Sequence, residues 1–246
     1  MDGQTHSRPK LSEEILKKAD IHVEGSKISV TAGISNLRIG YKNKHCAMLI
    51  KFKITVPTLD HRAVHMSRLV AAAQRHLESD RIEDSMRKIC KEIDETQPGC
   101  KISCEFEYSF GDQFMSIEIE RAATDPISYR FSRIGITACP CSKKLVDIGH
   151  MQRTMLTLEI KSKKIIDFDL AASKMGDCFS TTPKEYLKRE DEAAKILMAQ
   201  DKALFVEDVV RETLNKFPEA NSINVQSFES IHTHDAIAQW RKKEEH

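Results

Sequence analysis

The sequence Cys46-Ala-Met-Leu-Ile-Lys-Phe-Lys-Ile-Thr-Val56 alternates apolar and polar side chains along most of its length. Ile50, Phe52 and Ile54 fall on one side of an extended chain, and lysines fall between them on the other side. A period of two is typical of a β-strand with one buried face and one exposed face. This stretch therefore predicts a sheet whose core lies against one face.

Helical periodicity replaces the alternation directly after this strand. Two apolar stripes follow in succession: Met66, Leu69, Val70, Ala73 and Leu77, then Ile82, Met86, Ile89, Cys90 and Ile93. The spacing predicts two amphipathic helices, the second of them capped by Asp80 and ended by Pro98-Gly99. Alternation elsewhere in this half predicts further strands at residues 27–35, 101–108 and 117–120.

The second half of the chain follows the same order of elements. Strands are predicted at residues 127–136, 154–166 and 222–232, and helices at 182–199 and 206–217. The first of these helices is expected to begin at a capping box, Thr182-Pro-Lys-Glu185, with proline at the first helical position. The stripe expected on it consists of Leu187, Glu190, Ala194 and Leu197. Trp240 is assigned to a charged tail.

The order β-β-α-α-β-β thus occurs twice, joined near residue 125. We predict an α+β fold of two modules, each an antiparallel four-stranded sheet with two helices on one face. The expected division is a polar N-terminal segment at 1–25, a first module at 26–123 and a second module at 124–246. Because the second face of each sheet needs cover, we also expect self-association.

The composition is that of an ordinary water-soluble protein. The chain has 246 residues, 40% of them hydrophobic, and a net charge of +1. Since no bulk charge attracts nucleic acid or a membrane surface, neither is expected as a partner. No apolar run approaches the ~18 residues of a membrane span, and residues 1–20 lack the apolar block of an export signal. We therefore expect a cytoplasmic protein.

Seven cysteines without an export signal argue against a disulfide framework. Four of them occupy apolar positions of predicted elements and are interpreted as reduced core thiols. Cys139 and Cys141 lie instead in a loop shaped by Pro140 and two glycines, which also contains His150. This loop, residues 135–153, is the chemical centre that the sequence indicates.

Cysteine and histidine are good ligands for borderline-soft metals. Cys139 and Cys141 are too close together for the usual C-x₂-C pair, and no second pair is evident, which disfavours a closed structural zinc site. Cys139, His150 and one acid would instead form a three-ligand catalytic site with an open position for water. A redox thiol and a plain structural loop are the alternative interpretations.

The acid is expected on a helix. Glu190, Asp191 and Glu192 cannot be distinguished by spacing, and a solvated helix face explains this run equally well. A second acidic pair, Glu207 and Asp208, also begins a helix, where negative charge suits the helix dipole.

Histidines supply two further candidate groups. His232 and His234, two residues apart at the end of a predicted strand, face the same side and suit proton transfer near neutral pH; exposed tail histidines are the alternative. His65, Ser67 and Arg68 begin a helix and suit a phosphate; a polar helix face is the alternative.

Five segments, in order across residues 60–235, resemble signature segments of the type IB GTP cyclohydrolases. They are His65-Met-Ser-Arg68, Cys139-Pro-Cys-Ser-Lys143 with Gly149-His-Met-Gln-Arg153, Leu187-Lys-Arg-Glu-Asp-Glu192, Phe205-Val-Glu-Asp208, and Glu229-Ser-Ile-His-Thr-His234. The resemblance implies the tunnelling fold, two β-β-α-α-β-β modules per chain, in a homotetramer. It also implies conversion of GTP and water to formate and 7,8-dihydroneopterin triphosphate, the first step toward folate-type pterins.

The resemblance implies specific roles for these residues. Cys139, His150 and Glu192 are implied ligands of one divalent transition metal per active site, Fe²⁺, Mn²⁺ or Zn²⁺. Glu207 is the implied anchor of guanine, and we expect the active sites to lie at subunit interfaces.

Cys141 is implied in proton transfer, together with His232 or His234. The residues that we expect to hold the triphosphate are His65, Ser67, Arg68 and Arg153, with Lys143 as a further candidate. The alternative functions are another tunnelling-fold pterin or deazapurine enzyme, and a non-catalytic binding module stabilised by metal.

Overall fold

The computed structural model describes residues 22, 25–42 and 47–243. Eight strands form one antiparallel sheet in chain order: β1 (Thr31–Lys42), β2 (Ala47–Pro57), β3 (Lys101–Phe110), β4 (Gln113–Ala122), β5 (Ile127–Ala138), β6 (Met151–Ser162), β7 (Ser222–Phe228) and β8 (Ala236–Arg241). The helices are α1 (Met66–Arg75), α2 (Ile82–Asp94), α3 (Pro140–Val146), α4 (Phe168–Gly176), α5 (Arg189–Asp201) and α6 (Val206–Lys216). The expected N-terminal segment lies outside the described residues, apart from His22 and Gly25.

The two halves of the chain share a single sheet. β1–β4 belong to the first half and β5–β8 to the second, and β4 pairs with β5 from Ser116 opposite Ser132 to Glu120 opposite Ser128. The predicted α+β class is therefore confirmed, with four antiparallel strands from each half. None of the helices in the described ranges is long and apolar enough to cross a membrane.

The core lies on one face of the sheet, as the alternation in β2 predicts. Ile50, Phe52 and Ile54 have no exposed surface, and burial of each such side chain contributes about 1.5–3 kcal/mol relative to an exposed one. The helices pack over this face. Cys90, Cys100 and Cys104 are buried there, which confirms them as core thiols, and Cys178 is buried as well. Cys46 lies outside the described residues.

The opposite face carries a row of charged and hydroxyl side chains. Arg130 bridges Glu118 and Glu159 across three strands, and Ser222 extends the row by donating to Glu159 at 2.7 Å. The hydrogen bond from Ser222, followed by the charge of Arg130, lowers the pKa of the Glu159 carboxyl. Because this face is polar, it does not form a second hydrophobic core within one chain.

Two boundaries in the first half differ from the predictions. β1 runs from Thr31 to Lys42 rather than over 27–35, because Gly33 continues the ladder opposite Thr55 instead of ending it. The N-cap of α2 is Arg81, without a side-chain cap, rather than Asp80. In the second half, β6 runs from Met151 to Ser162 rather than over 154–166. It begins directly after His150 and ends four residues before the predicted end.

The helix predicted from the capping box begins seven residues later, at Arg189. Tertiary contacts explain the difference: the Thr182 hydroxyl accepts a hydrogen bond from Gln113, and the Thr182 carbonyl oxygen accepts one from Lys195. The predicted stripe is also wrong, because Ala199 is the buried residue of α5 and Leu197 is 64% exposed.

The sequence interpretation missed α3, α4 and β8; residues 140–146, expected as part of a loop, form a short helix. Asp167 caps α4 by accepting from the amide of Leu170 at 3.0 Å, a signal that was present in the sequence. The predicted strand at 222–232 ends at Phe228, and the chain turns back as β8. Trp240 is therefore half-buried in a strand opposite Ile223 rather than in a tail.

Alternation of strand direction gives the sheet two distinct ends. At one end β5 and β7 finish while β6 and β8 begin; we call this the Cys139 end. At the other end β2 finishes and α1 follows; we call this the His65 end. β2 and β5 are antiparallel, with three steps between them in the sheet, so the segments that follow them leave from opposite ends.

Candidate active site

The loop between β5 and β6 brings Cys139 and His150 together through the main chain. The amide of Cys139 donates to the carbonyl oxygen of His150 at 3.0 Å, which closes the loop at its base. Cys139 is the N-cap of α3, and Pro140 follows in the first turn, where a missing N–H breaks no helical hydrogen bond. Cys139 is half-buried whereas Cys141 is exposed, so the two thiols differ in their access to solvent.

Gly149 permits the close approach of the two chain segments. A Cβ at this position would lie 2.5 Å from the carbonyl oxygen of Cys139, closer than side chains can approach. The amide of His150 donates to Ser142 Oγ at 3.2 Å, and Ser142 Oγ donates to the Cys139 carbonyl oxygen at 3.4 Å. The turn before His150 is thus packed onto the backbone of Cys139.

The turn between β7 and β8 supplies the neighbours of the His150 ring. Nδ1 of His150 lies 3.3 Å from Ser230 Oγ and 3.9 Å from a carboxylate oxygen of Glu229, whose side chain is 10% exposed. The His232 ring stands edge-on to the His150 ring with centroids 6.3 Å apart, and His234 stacks on His232 at 5.1 Å. His232 and His234 therefore lie beside His150. They belong to the turn between β7 and β8 and not, as predicted, to the end of a strand.

A main-chain contact places the start of α6 beside the same loop. The amide of Leu204 donates to the carbonyl oxygen of Ala138 at 3.0 Å, and Ala138 directly precedes Cys139. Glu207 lies in the first turn of α6 with its side chain exposed. The predicted guanine anchor thus belongs to the Cys139 end of the sheet.

Helix α5 passes the same end. Lys195 Nζ donates to the Thr182 carbonyl oxygen at 2.7 Å, and burial lowers the pKa of this lysine. Closer to the C-terminus of the helix, Gln200 hydrogen-bonds Gly149, and Lys143 donates to the Gln200 carbonyl oxygen. Lys143 is therefore engaged in holding α3 to α5.

Glu192 lies in the first turn of α5 and is exposed. Within the described ranges, no three side chains of the types His, Cys, Asp and Glu are close enough together to hold a metal ion. Cys139 and His150 belong to one closed loop, and their thiolate and imidazole donors have the chemistry that a transition metal prefers. The complete set of Cys139, His150 and Glu192 stays a prediction.

Arg153 lies on β6, three residues after His150, and points to the polar face of the sheet. It is exposed at a cavity of about 440 Å³ whose wall also contains Lys184, Glu107 and Met155. This volume is within the ~300–1,000 Å³ typical of small-molecule sites. The position is compatible with the predicted contact between Arg153 and an anionic ligand.

The other predicted triphosphate residues lie at the His65 end. His65 is the N-cap of α1, and its amide donates to Gln97 Oε1 at 2.9 Å. Its ring stacks on that of His22 with centroids 4.4 Å apart. Ser67 and Arg68 are exposed in the first turn of α1. A single chain therefore does not bring His65, Ser67 and Arg68 to the loop of Cys139.

Three contacts at the Cys139 end went unrecognised in the sequence. Glu229 and Ser230 belong to the segment Glu229–His234, but nothing in their spacing indicates that they face His150. Gln200 is one polar residue at the end of a helix, and its contact with Gly149 spans 51 residues of chain. Only the folded arrangement reveals these partners.

Comparisons with known proteins agree on one family. The chain matches the family model of type I GTP cyclohydrolase folE2 over residues 17–238. GTP cyclohydrolase FolE2 of Pseudothermotoga lettingae is 32% identical over 203 residues, covering 73% of this chain and 78% of the relative. GTP cyclohydrolase MptA of Korarchaeum cryptofilum is 29% identical over an alignment of 266 residues, covering 94% of each chain.

Among solved structures, a hyper-thermostable uricase mutant superimposes with a TM-score of 0.50 at 10% sequence identity, covering 87% of this chain and 92% of that chain. This likeness concerns the fold alone and agrees with the predicted tunnelling fold. The family model covers nearly the whole chain, including the loop of Cys139 and the turn of His232. The chain therefore belongs to the type I GTP cyclohydrolase family of the FolE2 proteins.

Proposed function

We propose that this chain hydrolyses GTP to formate and 7,8-dihydroneopterin triphosphate, the entry step to folate-type pterins. The observation that carries the proposal is the convergence at the Cys139 end. The loop of Cys139 and His150, the histidine turn after β7 and the start of α6 meet there. The family to which the chain belongs supports the same reaction.

Cys139, His150 and Glu192 are the residues that would hold a divalent transition metal, Fe²⁺, Mn²⁺ or Zn²⁺. The metal would supply an activated water at near-neutral pH for attack on carbon 8 of guanine. Ser230 and Glu229 face Nδ1 of His150 and would fix the orientation of its ring. Such outer partners commonly orient a ligand histidine.

Glu207 would select guanine. A carboxylate can accept hydrogen bonds from both N1–H and the N2 amino group of guanine, a donor pair that adenine lacks. An unpaired carboxylate in a closed site is costly, so the wrong base would be rejected. The position of Glu207 in the first turn of α6 supports this role, because the loop at Ala138 is hydrogen-bonded to the segment just before that helix.

Opening of the imidazole ring requires protons at its nitrogen atoms. Cys141, His232 and His234 are exposed at the same end of the sheet and would deliver them. The stacked rings of His232 and His234 can exchange protons with solvent, because both residues are exposed. A group of this kind typically contributes about 10²–10⁴-fold to a rate.

The triphosphate would be shared between two copies of the chain. Arg153 lies at the Cys139 end, whereas His65, Ser67 and Arg68 lie at the opposite end. β2 and β6 are four steps apart, or about 19 Å at ~4.8 Å per strand, so a second copy must supply the α1 residues. We propose a homotetramer with active sites at subunit interfaces.

Exposed apolar residues support an interface at the Cys139 end. Leu145 is 79% exposed and Ile148 is 66% exposed in the loop, and Leu197 is 64% exposed on α5. A helix with a single buried residue gains little from packing within its own chain. Exposed apolar side chains on two adjoining elements suit a protein interface.

Incubation of purified protein with GTP and each of the three metals, without oxygen, tests the proposal. We expect formate and a pterin that becomes fluorescent on oxidation, and no such products from ATP. The Cys139→Ala variant should lose both bound metal and turnover. If wild-type protein forms no formate with any of the metals, the proposed reaction is wrong.

A further inference from the structure

We propose that Gln200 is a positioning residue that holds the Cys139–His150 loop in its metal-binding shape; the inference rests on the proposed metal site. Its side-chain amide pairs with the backbone of Gly149 through both of its polar atoms. The amide of Gly149 donates to Gln200 Oε1 at 2.7 Å, and Gln200 Nε2 donates to the Gly149 carbonyl oxygen at 2.9 Å. The pairing fixes both the position and the tilt of the peptide groups around Gly149.

The contact is transmitted directly to both donor residues. Gly149 precedes His150 in the chain and packs so closely on Cys139 that a Cβ there would lie 2.5 Å from the Cys139 carbonyl oxygen. Gly149 is thus in contact both with the Gln200 amide and with the backbone of Cys139. If Gly149 moves, the hydrogen bond from Cys139 to the His150 carbonyl oxygen moves with it.

Apolar packing contributes little to holding the loop. Leu145, Val146 and Ile148 are 66–79% exposed, and α3 has no buried residue. Asp147 adopts the left-handed conformation, with φ of 63°, which costs a non-glycine residue free energy and persists where neighbouring contacts offset that cost. Hydrogen bonds therefore hold the loop, and the pair made by Gln200 engages Gly149, which lies between the two donors in the chain.

The same contact also joins the loop to α5, the helix that contains Glu192. Glu192 precedes Gln200 by eight residues, which is about 12 Å along the helix axis. α5 has a single buried residue, so polar contacts rather than packing determine its position. Gln200 thus connects the segment with two of the predicted metal ligands to the segment with the third.

Two variants test this role by different changes in the amide. Gln200→Ala removes both hydrogen bonds. Gln200→Glu keeps the shape and the acceptor but places a carboxylate oxygen against the Gly149 carbonyl oxygen. Gln74→Ala, at an exposed glutamine of α1, is the matched control.

Metal affinity is the main measurement, made by competition of Co²⁺ or Zn²⁺ with a chelator. We expect both Gln200 variants to bind about 10–100-fold more weakly, as is typical when an outer partner of a metal site is lost. The absorption spectrum of bound Co²⁺ should also change, while Gln74→Ala matches wild type. In metal-free protein, amide hydrogen exchange over residues 139–150 should be faster in Gln200→Ala.

Unchanged affinity and an unchanged Co²⁺ spectrum in folded Gln200→Glu would overturn the inference, even if Gln200→Ala fails to fold. The proposed reaction is tested separately by GTP turnover of wild-type protein. If wild type releases formate but Gln200→Glu binds metal normally, the positioning role alone is wrong. If wild type binds metal but leaves GTP intact, the reaction alone is wrong.

Discussion

At the scale of single residues, the two cysteines of the loop differ in their surroundings. The main chain of Cys139 is hydrogen-bonded to that of His150, whereas Cys141 is exposed in the first turn of α3. The sequence predicts both thiols and His150 as a cluster, because the three lie in one short segment. It does not predict that Ser230 faces His150, since that contact joins residues 80 apart in the chain.

The different positions predict different effects of removing each thiol. Cys141→Ala should lower the turnover number about 100-fold or more, because a proton donor is lost. Its bound metal should remain at the wild-type level. Metal analysis together with steady-state kinetics checks this, and Cys139→Ala, which should lose both, is the comparison. Loss of metal from Cys141→Ala would show that the assignment of the two thiols is wrong.

At the scale of elements, the sequence predicted β2, β3 and β5 to within two residues at each end, because each has one face on the core and one more polar face. Of β4 (Gln113–Ala122) it predicted only the centre, residues 117–120. The pattern failed where elements are short or lack a buried stripe. α5 has no apolar stripe to find, and the capping box at Thr182 is used for contacts with Gln113 and Lys195. β8 was missed because it is a six-residue edge strand with three exposed positions.

A buried carboxyl joins α2 to β5 and predicts a pH effect on stability. Glu83 is 2% exposed and accepts a hydrogen bond from Tyr129 at 3.0 Å. Burial raises the pKa of Glu83 above its ordinary value, although hydrogen bonds from a backbone amide and Tyr129 oppose the shift. The folded state therefore holds this proton more tightly than the unfolded state.

The sign of the pH dependence follows from that shift. Stability due to protonated Glu83 is fully present below the unfolded pKa of about 4.3 and is lost as the pH rises through the higher folded pKa. Glu83→Gln cannot ionise, so its free energy of unfolding should rise relative to wild type as the pH increases from about 4. Urea unfolding over a pH series checks this, with exposed Glu78→Gln as the control. A difference that does not vary with pH would refute the argument.

At the scale of the whole molecule, one continuous sheet separates two groups of predicted substrate residues. Cys139, His150 and Glu207 belong to one end, and Ser67 and Arg68 belong to the other. The sequence resemblance predicts all of these residues for one site. It does not show that a single chain keeps them apart, because that follows from the antiparallel order of the strands.

The separation predicts complementation between variants. Cys139→Ala and Arg68→Ala should each be impaired alone. Hybrid oligomers obtained by co-expression should exceed the mean activity of the two, because some sites combine an intact loop with an intact α1 from the other copy. Cys139→Ala with Cys141→Ala is the matched control and should show no gain, since both thiols come from one chain. Hybrid activity equal to the mean would contradict a shared site.

The most direct measurement follows the carbon atom that the reaction removes. GTP labelled with ¹³C at carbon 8 is incubated with metal-loaded protein, and the products are observed by NMR. We expect the label to leave as formate while an unlabelled pterin triphosphate accumulates in equal amount. If the label stays in GTP, or in a product that keeps carbon 8, the proposed reaction is wrong.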